Sequence, residues 1–118
     1  MQLRSLLVDT HAHMPPAQVL EDLSEQDAMR RISNLAHSIG DIVAHVEFWQ
    51  SLLLKRGGQP DLLEETIYPA LEFPPLASYT VRDALVHVAN HNSHHLGQII
   101  TLRQLMGAWP PPGGGWTW

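Results

Sequence analysis

The feature that most constrains this chain is the run from Thr80 to Gly107. Apolar residues recur there at Val81, Ala84, Leu85, Val88, Leu96, Ile99, Leu102 and Met106, the spacing of one helical face. Thr80 followed by Asp83 has the form of a capping box, and Gly107 supplies a stop. A long amphipathic helix is predicted here, and the rest of the chain must pack against its apolar stripe.

The remaining segments also read as helical. Leu3, Leu6, Leu7, Thr10 and Met14 predict a first helix over 2–14, ended by Pro15-Pro16. A short helical stretch follows over 17–23, and Ser24 with Asp27 caps a further turn. Ser38 with Asp41 opens a second long helix whose face is Ile42, Val43, Val46, Trp49 and Leu53, running to about Arg56 before Gly57-Gly58. Residues 61–72 read as a short third helix bent at Pro69, closed by Pro74-Pro75. No internal repeat or strand-like alternation is present, so the class is all-α. At 118 residues the chain is expected to form a single domain over 1–118. Its end, 109–118, is a non-helical tail of Pro, Gly and Trp, whose three tryptophans are expected to pack on the bundle or on a second subunit.

Charge and composition narrow the function. The formal net charge of −5, with seven scattered basic residues, argues against a nucleic-acid or anionic-membrane partner. No apolar run approaches the length of a membrane span, about 20 residues, and the first residues lack a signal-peptide pattern. Cysteine is absent, so any metal site must use nitrogen or oxygen ligands. That absence is compatible with a cytoplasmic location.

Histidine is the outlier: eight in the chain, with His87, His91, His94 and His95 close together. His91 and His95 are four apart, so both imidazoles lie on one helical face and can point at one ion. Taking Val88 as the centre of the apolar face, His95 lies roughly 20° away and His91 roughly 60° away. His87 and His94 fall roughly 100° and 120° off that centre, toward the rim. A third ligand should come from a facing helix, and His45, between Ile42 and Trp49, is best placed. The metal-ligand candidates are therefore His45, His91 and His95. Three uncompensated inward imidazoles would be costly without a shared cation, although a single inward histidine such as His45 is more often satisfied by a hydrogen bond. His11 is a distant candidate for a fourth ligand, and it cannot pair with His13, which points roughly 200° away on a helix. His37, just before Ser38, reads as a surface residue or cap partner, and Glu64-Glu65 as a solvated face.

Two segments together resemble a known superfamily. The run His87-Val-Ala-Asn-His91-Asn-Ser-His-His95-Leu-Gly-Gln-Ile, followed by Leu102-Arg-Gln-Leu-Met-Gly107 and a Pro-rich end, resembles the last helix of the DinB/YfiT-like superfamily. Ser38-Ile-Gly-Asp-Ile-Val-Ala-His45-Val-Glu-Phe-Trp49 resembles its second helix, which carries the remaining metal histidine. The resemblance implies an up-and-down four-helix bundle, a three-histidine site for a divalent transition metal such as zinc or nickel, and a homodimer. Carried over by position, the implied ligands are again His45, His91 and His95. The stretch between Gly58 and Thr80 is shorter than the usual third-helix region, which implies an abbreviated third helix or a missing stretch.

The same resemblance implies an activity class, since characterised relatives include thiol transferases and a thiol-dependent isomerase. The expected function is metal activation of a low-molecular-weight thiol for transfer to an electrophile; this chain has no cysteine to serve as that nucleophile. The catalytic residues are not specified by the sequence, and whether the chain is an enzyme stays open. Arg103 and Gln98 are candidates for orienting an anionic substrate, with an ordinary surface or rim hydrogen bond at least as good a reading for each. The alternatives are a metal-dependent hydrolase using activated water, and a non-catalytic metal-binding or dimerisation module with the tryptophan tail as its contact. For hydrolysis no general base is evident, because Glu47 lies about 200° around its helix from His45.

Overall fold

In a computed structural model, residues 13–57 and 80–115 are described, without the side chains of 53–57 and 81. Four helices lie among them: α1 (Pro16–Val19), α2 (Glu25–Met29), α3 (Ile39–Gly57) and α4 (Val81–Leu105). No strand occurs among the described residues, so the all-α class holds. No helix is long and apolar enough to cross a membrane among them.

The two long helices begin by the same device. At α4 the Asp83 N–H donates to Thr80 Oγ1 (3.1 Å) and the Thr80 N–H donates to Asp83 Oδ2 (3.1 Å). At α3 the Asp41 N–H donates to Ser38 Oγ (3.1 Å) and the Ser38 N–H to Asp41 Oδ2 (2.9 Å). Each exchange satisfies backbone donors that a helix start leaves without partners. The backbone N–H of the cap residue also holds each aspartate below the usual carboxylate range. Arg31 adds an ion pair to Asp41 at 3.1 Å. The end of α4 is a complete Schellman turn: the Ala108 N–H donates to Arg103 O, the Gly107 N–H donates to Gln104 O, and Gly107 takes the left-handed φ of 70°.

The proline pair also opens the helix that follows it. Pro15 is an extended N-cap and Pro16 is the first residue of α1, a position where the missing N–H costs nothing. The predicted helix over 2–14 lies mostly outside the described residues, and His13 and Met14 at its end are not helical. The stretch expected over 17–23 is helical only to Val19, and a turn with Asp22 at φ 52° follows. Ser24 caps α2 by accepting from the Asp27 N–H at 3.0 Å. The predicted helix over 61–72 lies outside the described residues.

The core gathers Met14, Val19, Ile39 and Ile42 against Leu96, Ile99 and Leu102 of α4. The face of α3 is narrower than its sequence suggests: Ile42 is buried, Val46 is half-buried, and Val43 and Trp49 are exposed. Arg103, buried near the end of α4, ties the pieces together. Its Nη1 donates to Val19 O (2.7 Å) and Glu21 O (2.9 Å), and its Nε donates to Ala108 O (3.0 Å). The tail then returns over α1. Gln18 Nε2 donates to Gly113 O and Gly114 O, and the Gly113 N–H donates to Glu21 Oε2. Trp109 packs half-buried against the core, as one of the two expectations for the tail has it. Gly115 permits this closeness, since a Cβ there would lie 2.6 Å from the Trp109 ring. Trp116 and Trp118 lie outside the described residues.

Candidate metal centre

The cap at Ser38 fixes the start of α3 and the cap at Thr80 that of α4, and the two helices pack with opposite chain direction. Ile42 consequently lies beside Gln98 and Leu102, while His45, one turn further along α3, meets His91 and His95. His91 and His95 point the same way because they are four apart on α4.

The three side chains converge through their Nε2 atoms. His45 Nε2 lies 3.0 Å from His91 Nε2, and His95 Nε2 lies 3.1 Å from it. Ring centroids are 4.4–5.0 Å apart. One nitrogen from each residue falls within 4.8 Å of the others. Among the described residues, no carboxylate and no other histidine joins this group.

The donor set suits a shared cation. The Nε2 of His91 bears either one proton or one lone pair, yet it faces two other ring nitrogens at hydrogen-bonding distance, so hydrogen bonds alone leave part of the contact unsatisfied. Metal–nitrogen bonds of about 2.0–2.1 Å would put adjacent ligand nitrogens about 2.8–3.4 Å apart, for bond angles between a right angle and the tetrahedral value. The two separations from His91 fall in that interval, and the remaining pair, His45 with His95, lies within 4.8 Å. His95 is held in the tautomer a metal requires. Its Nδ1–H donates to Gln98 Oε1 at 2.6 Å, which leaves the lone pair on Nε2. Burial pushes the His91 imidazole below its ordinary value, helped by repulsion from His95, His45 and His87, so its ring stays neutral and able to donate a lone pair.

Residues 17–115 match the DinB family. The chain belongs to the DinB family. That match takes in both long helices and all three histidines. No curated protein and no solved structure matches the chain significantly.

Other sequence candidates in this DinB-family chain fall into place around the trio. His94 is exposed, with its ring 5.0 Å from that of His95, and His87 is exposed on the preceding turns. His37 is exposed near the start of α3, and His13 Nδ1 lies 2.8 Å from Met14 O. His11 lies outside the described residues. Arg103 does not orient a ligand at the centre, because its guanidinium is buried and committed to three backbone carbonyls. Gln98 does act at the centre, but on His95 rather than on an anion. Its spacing of three residues from His95 was the available signal, since such a pair meets on the helix surface.

Proposed function

We propose that this DinB-family protein holds one divalent transition-metal ion, zinc or nickel, on His45, His91 and His95. In this reading it activates a low-molecular-weight thiol for transfer to an electrophile. The observation that carries the reading is the convergence of three Nε2 atoms, with His95 already oriented by Gln98. When bound, a divalent cation lowers the pKa of a coordinated thiol and presents a thiolate at neutral pH.

The chain's own residues then have defined parts. His45, His91 and His95 supply neutral ligands, and three protein ligands leave room for an exogenous one. Gln98 keeps the His95 proton on Nδ1 and prevents the ring from turning away. The thiol must be external, because the chain has no cysteine. Among the described residues no carboxylate joins the trio's ligand atoms.

The same reading extends to architecture and setting. We propose an up-and-down four-helix bundle forming one domain, with segments 2–14 and 61–72 completing what α3 and α4 begin. It acts as a homodimer in the cytoplasm, where small thiols are kept reduced. The test is to purify the protein without a histidine tag and count metal ions per chain. Turnover of an electrophilic probe is then compared with and without added thiol. About one ion per chain and strict thiol dependence are expected. Turnover with water alone would replace the thiol reading with hydrolysis, and failure to take zinc or nickel on reconstitution would sink the metal centre itself.

A further inference from the structure

Beside Gln98 lies a cavity of about 450 Å³, bounded by segment 35–37, the start of α3 and the later turns of α4; none of the three histidines lines it. That volume is in the range of small-molecule sites, about 300–1,000 Å³. Leu35, Ile42 and Leu102 form apolar walls, and His37, Gln98 and Thr101 supply the polar atoms. Among the described residues no carboxylate, lysine or arginine lines it. Apart from the His37 ring, the lining offers a charged ligand no group of opposite charge.

The His37 ring and Gln98 Nε2 both make no hydrogen bond to a described residue, and of the two only Gln98 also contacts the trio. Thr101 Oγ1 already donates to Gly97 O at 3.0 Å. Gln98 Oε1 is taken by the His95 Nδ1–H, while Gln98 Nε2 makes no hydrogen bond to a described residue. One side-chain amide thus faces both ways: its oxygen serves a candidate metal ligand, and its N–H donors remain for whatever fills the cavity.

We infer that this cavity is a substrate subsite joined to the proposed centre through Gln98, and that it seats an uncharged, largely apolar carbonyl compound whose oxygen accepts from Gln98 Nε2. The catalytic purpose of such binding rests on the proposed metal centre, whereas binding in the cavity does not. A carbonyl on Nε2 would polarise the amide and strengthen its oxygen as acceptor for the His95 N–H. Substrate arrival would thus be felt at a ligand without any backbone movement.

The test titrates the full-length protein, metal-free and zinc-loaded, with acetophenone while backbone amide resonances are followed. Ethylbenzene and benzoate serve as probes of the same skeleton without the carbonyl and with a charge. Gly97 borders the cavity, and a Cβ built there meets nothing within 4 Å, so Gly97→Phe can fill the space without displacing the helix. Thr101→Met fills it from the next turn and stands in if Gly97→Phe fails to fold. Saturable shifts at Ile42, Gln98, Thr101 and Leu102 are expected with acetophenone. Binding should weaken about tenfold for either comparator and for the filled variant, the effect of one lost hydrogen bond or of lost volume. Undiminished binding by a folded, filled variant, equal affinity for ethylbenzene, or shifts confined to other residues would overturn the subsite. A protein that takes no zinc but binds acetophenone here would sink the metal centre and keep the subsite. A zinc-loaded protein whose cavity resonances do not move would do the reverse.

Discussion

Gln98 Oε1 accepts a 2.6 Å hydrogen bond from His95 Nδ1 one helical turn away, which leaves His95 Nε2 to face His91 and His45. An outer residue of this kind fixes both the tautomer and the aim of an imidazole. Replacing Gln98 by leucine should therefore weaken zinc affinity about tenfold to a hundredfold while leaving the helical content unchanged. Competition titration against a chelator of known affinity reads this directly. Wild-type affinity in the variant would show that the contact orients nothing.

Ligand removal should discriminate sharply among neighbouring histidines. His45→Ala, His91→Ala and His95→Ala should each abolish stoichiometric metal binding, since each deletes one of three convergent nitrogens. His94→Ala should retain about one ion per chain, because His94 is exposed and stands outside the trio. Elemental analysis of the four variants decides it, and loss of metal in the His94 variant would require a different ligand set.

Acid should act on the metal-free protein in two separate windows. His91 titrates below its ordinary value of 6.5 in the fold, so between these values the unfolded chain binds more protons. Stability should therefore fall as pH drops from 6.5 through the lowered folded value, and His91→Phe should remove that part of the slope. The contribution of Asp41 and Asp83 is present above 3.8 and is lost only as pH falls below it toward their lowered folded values. Thermal melts across pH, wild type beside His91→Phe, separate the two. Parallel curves near neutrality would refute the assignment to His91.

Arg103 should matter for stability rather than for chemistry. Arg103→Leu leaves the carbonyls of Val19, Glu21 and Ala108 without their donor and should cost about 3 kcal/mol. Lysine should not rescue it, because a single ammonium cannot reproduce the planar fork. Denaturant midpoints should drop while the folded fraction still takes its metal. A variant of full stability that has lost the metal would reverse this division of roles.

Thr80→Ala should destabilise the protein by about 1 kcal/mol through loss of the cap on α4. His91 lies about 16 Å further along the helix at 1.5 Å per residue, so metal affinity should be unchanged. Chemical denaturation combined with metal titration checks both halves of that expectation.

What could be read from the sequence follows the range of the signals. Thr80, Asp83 and Gly107 act within a turn of themselves, so the limits of α4 were visible in the residues alone. The inward turn of His91 and His95 follows from helix period, and His45 was found by asking which histidine shares a face with apolar neighbours. The sequence leaves Arg103 between a substrate role and an ordinary hydrogen bond, because its carbonyl partner Val19 lies 84 residues away, a separation that no local pattern reports. Pro15-Pro16 reads as a stop in the sequence, and Pro16 is also a start, since proline satisfies the steric rules of both positions. For Gln98 the sequence allows an anion or an ordinary hydrogen bond, and the partner is His95; an amide on a helix does not announce which of its two ends is occupied.

His45 and His91 stand 3.0 Å apart in space and 46 positions apart along the chain. A cation bridging them would act as a reversible staple across a long loop, and the entropy of closing that loop would form part of its apparent affinity. Because that entropy grows only with the logarithm of loop length, changing the stretch between Gly58 and Thr80 by several residues would barely alter the closure cost. The length of that stretch could therefore drift while the staple kept its strength, so a shortened third segment would be compatible with the proposed metal centre.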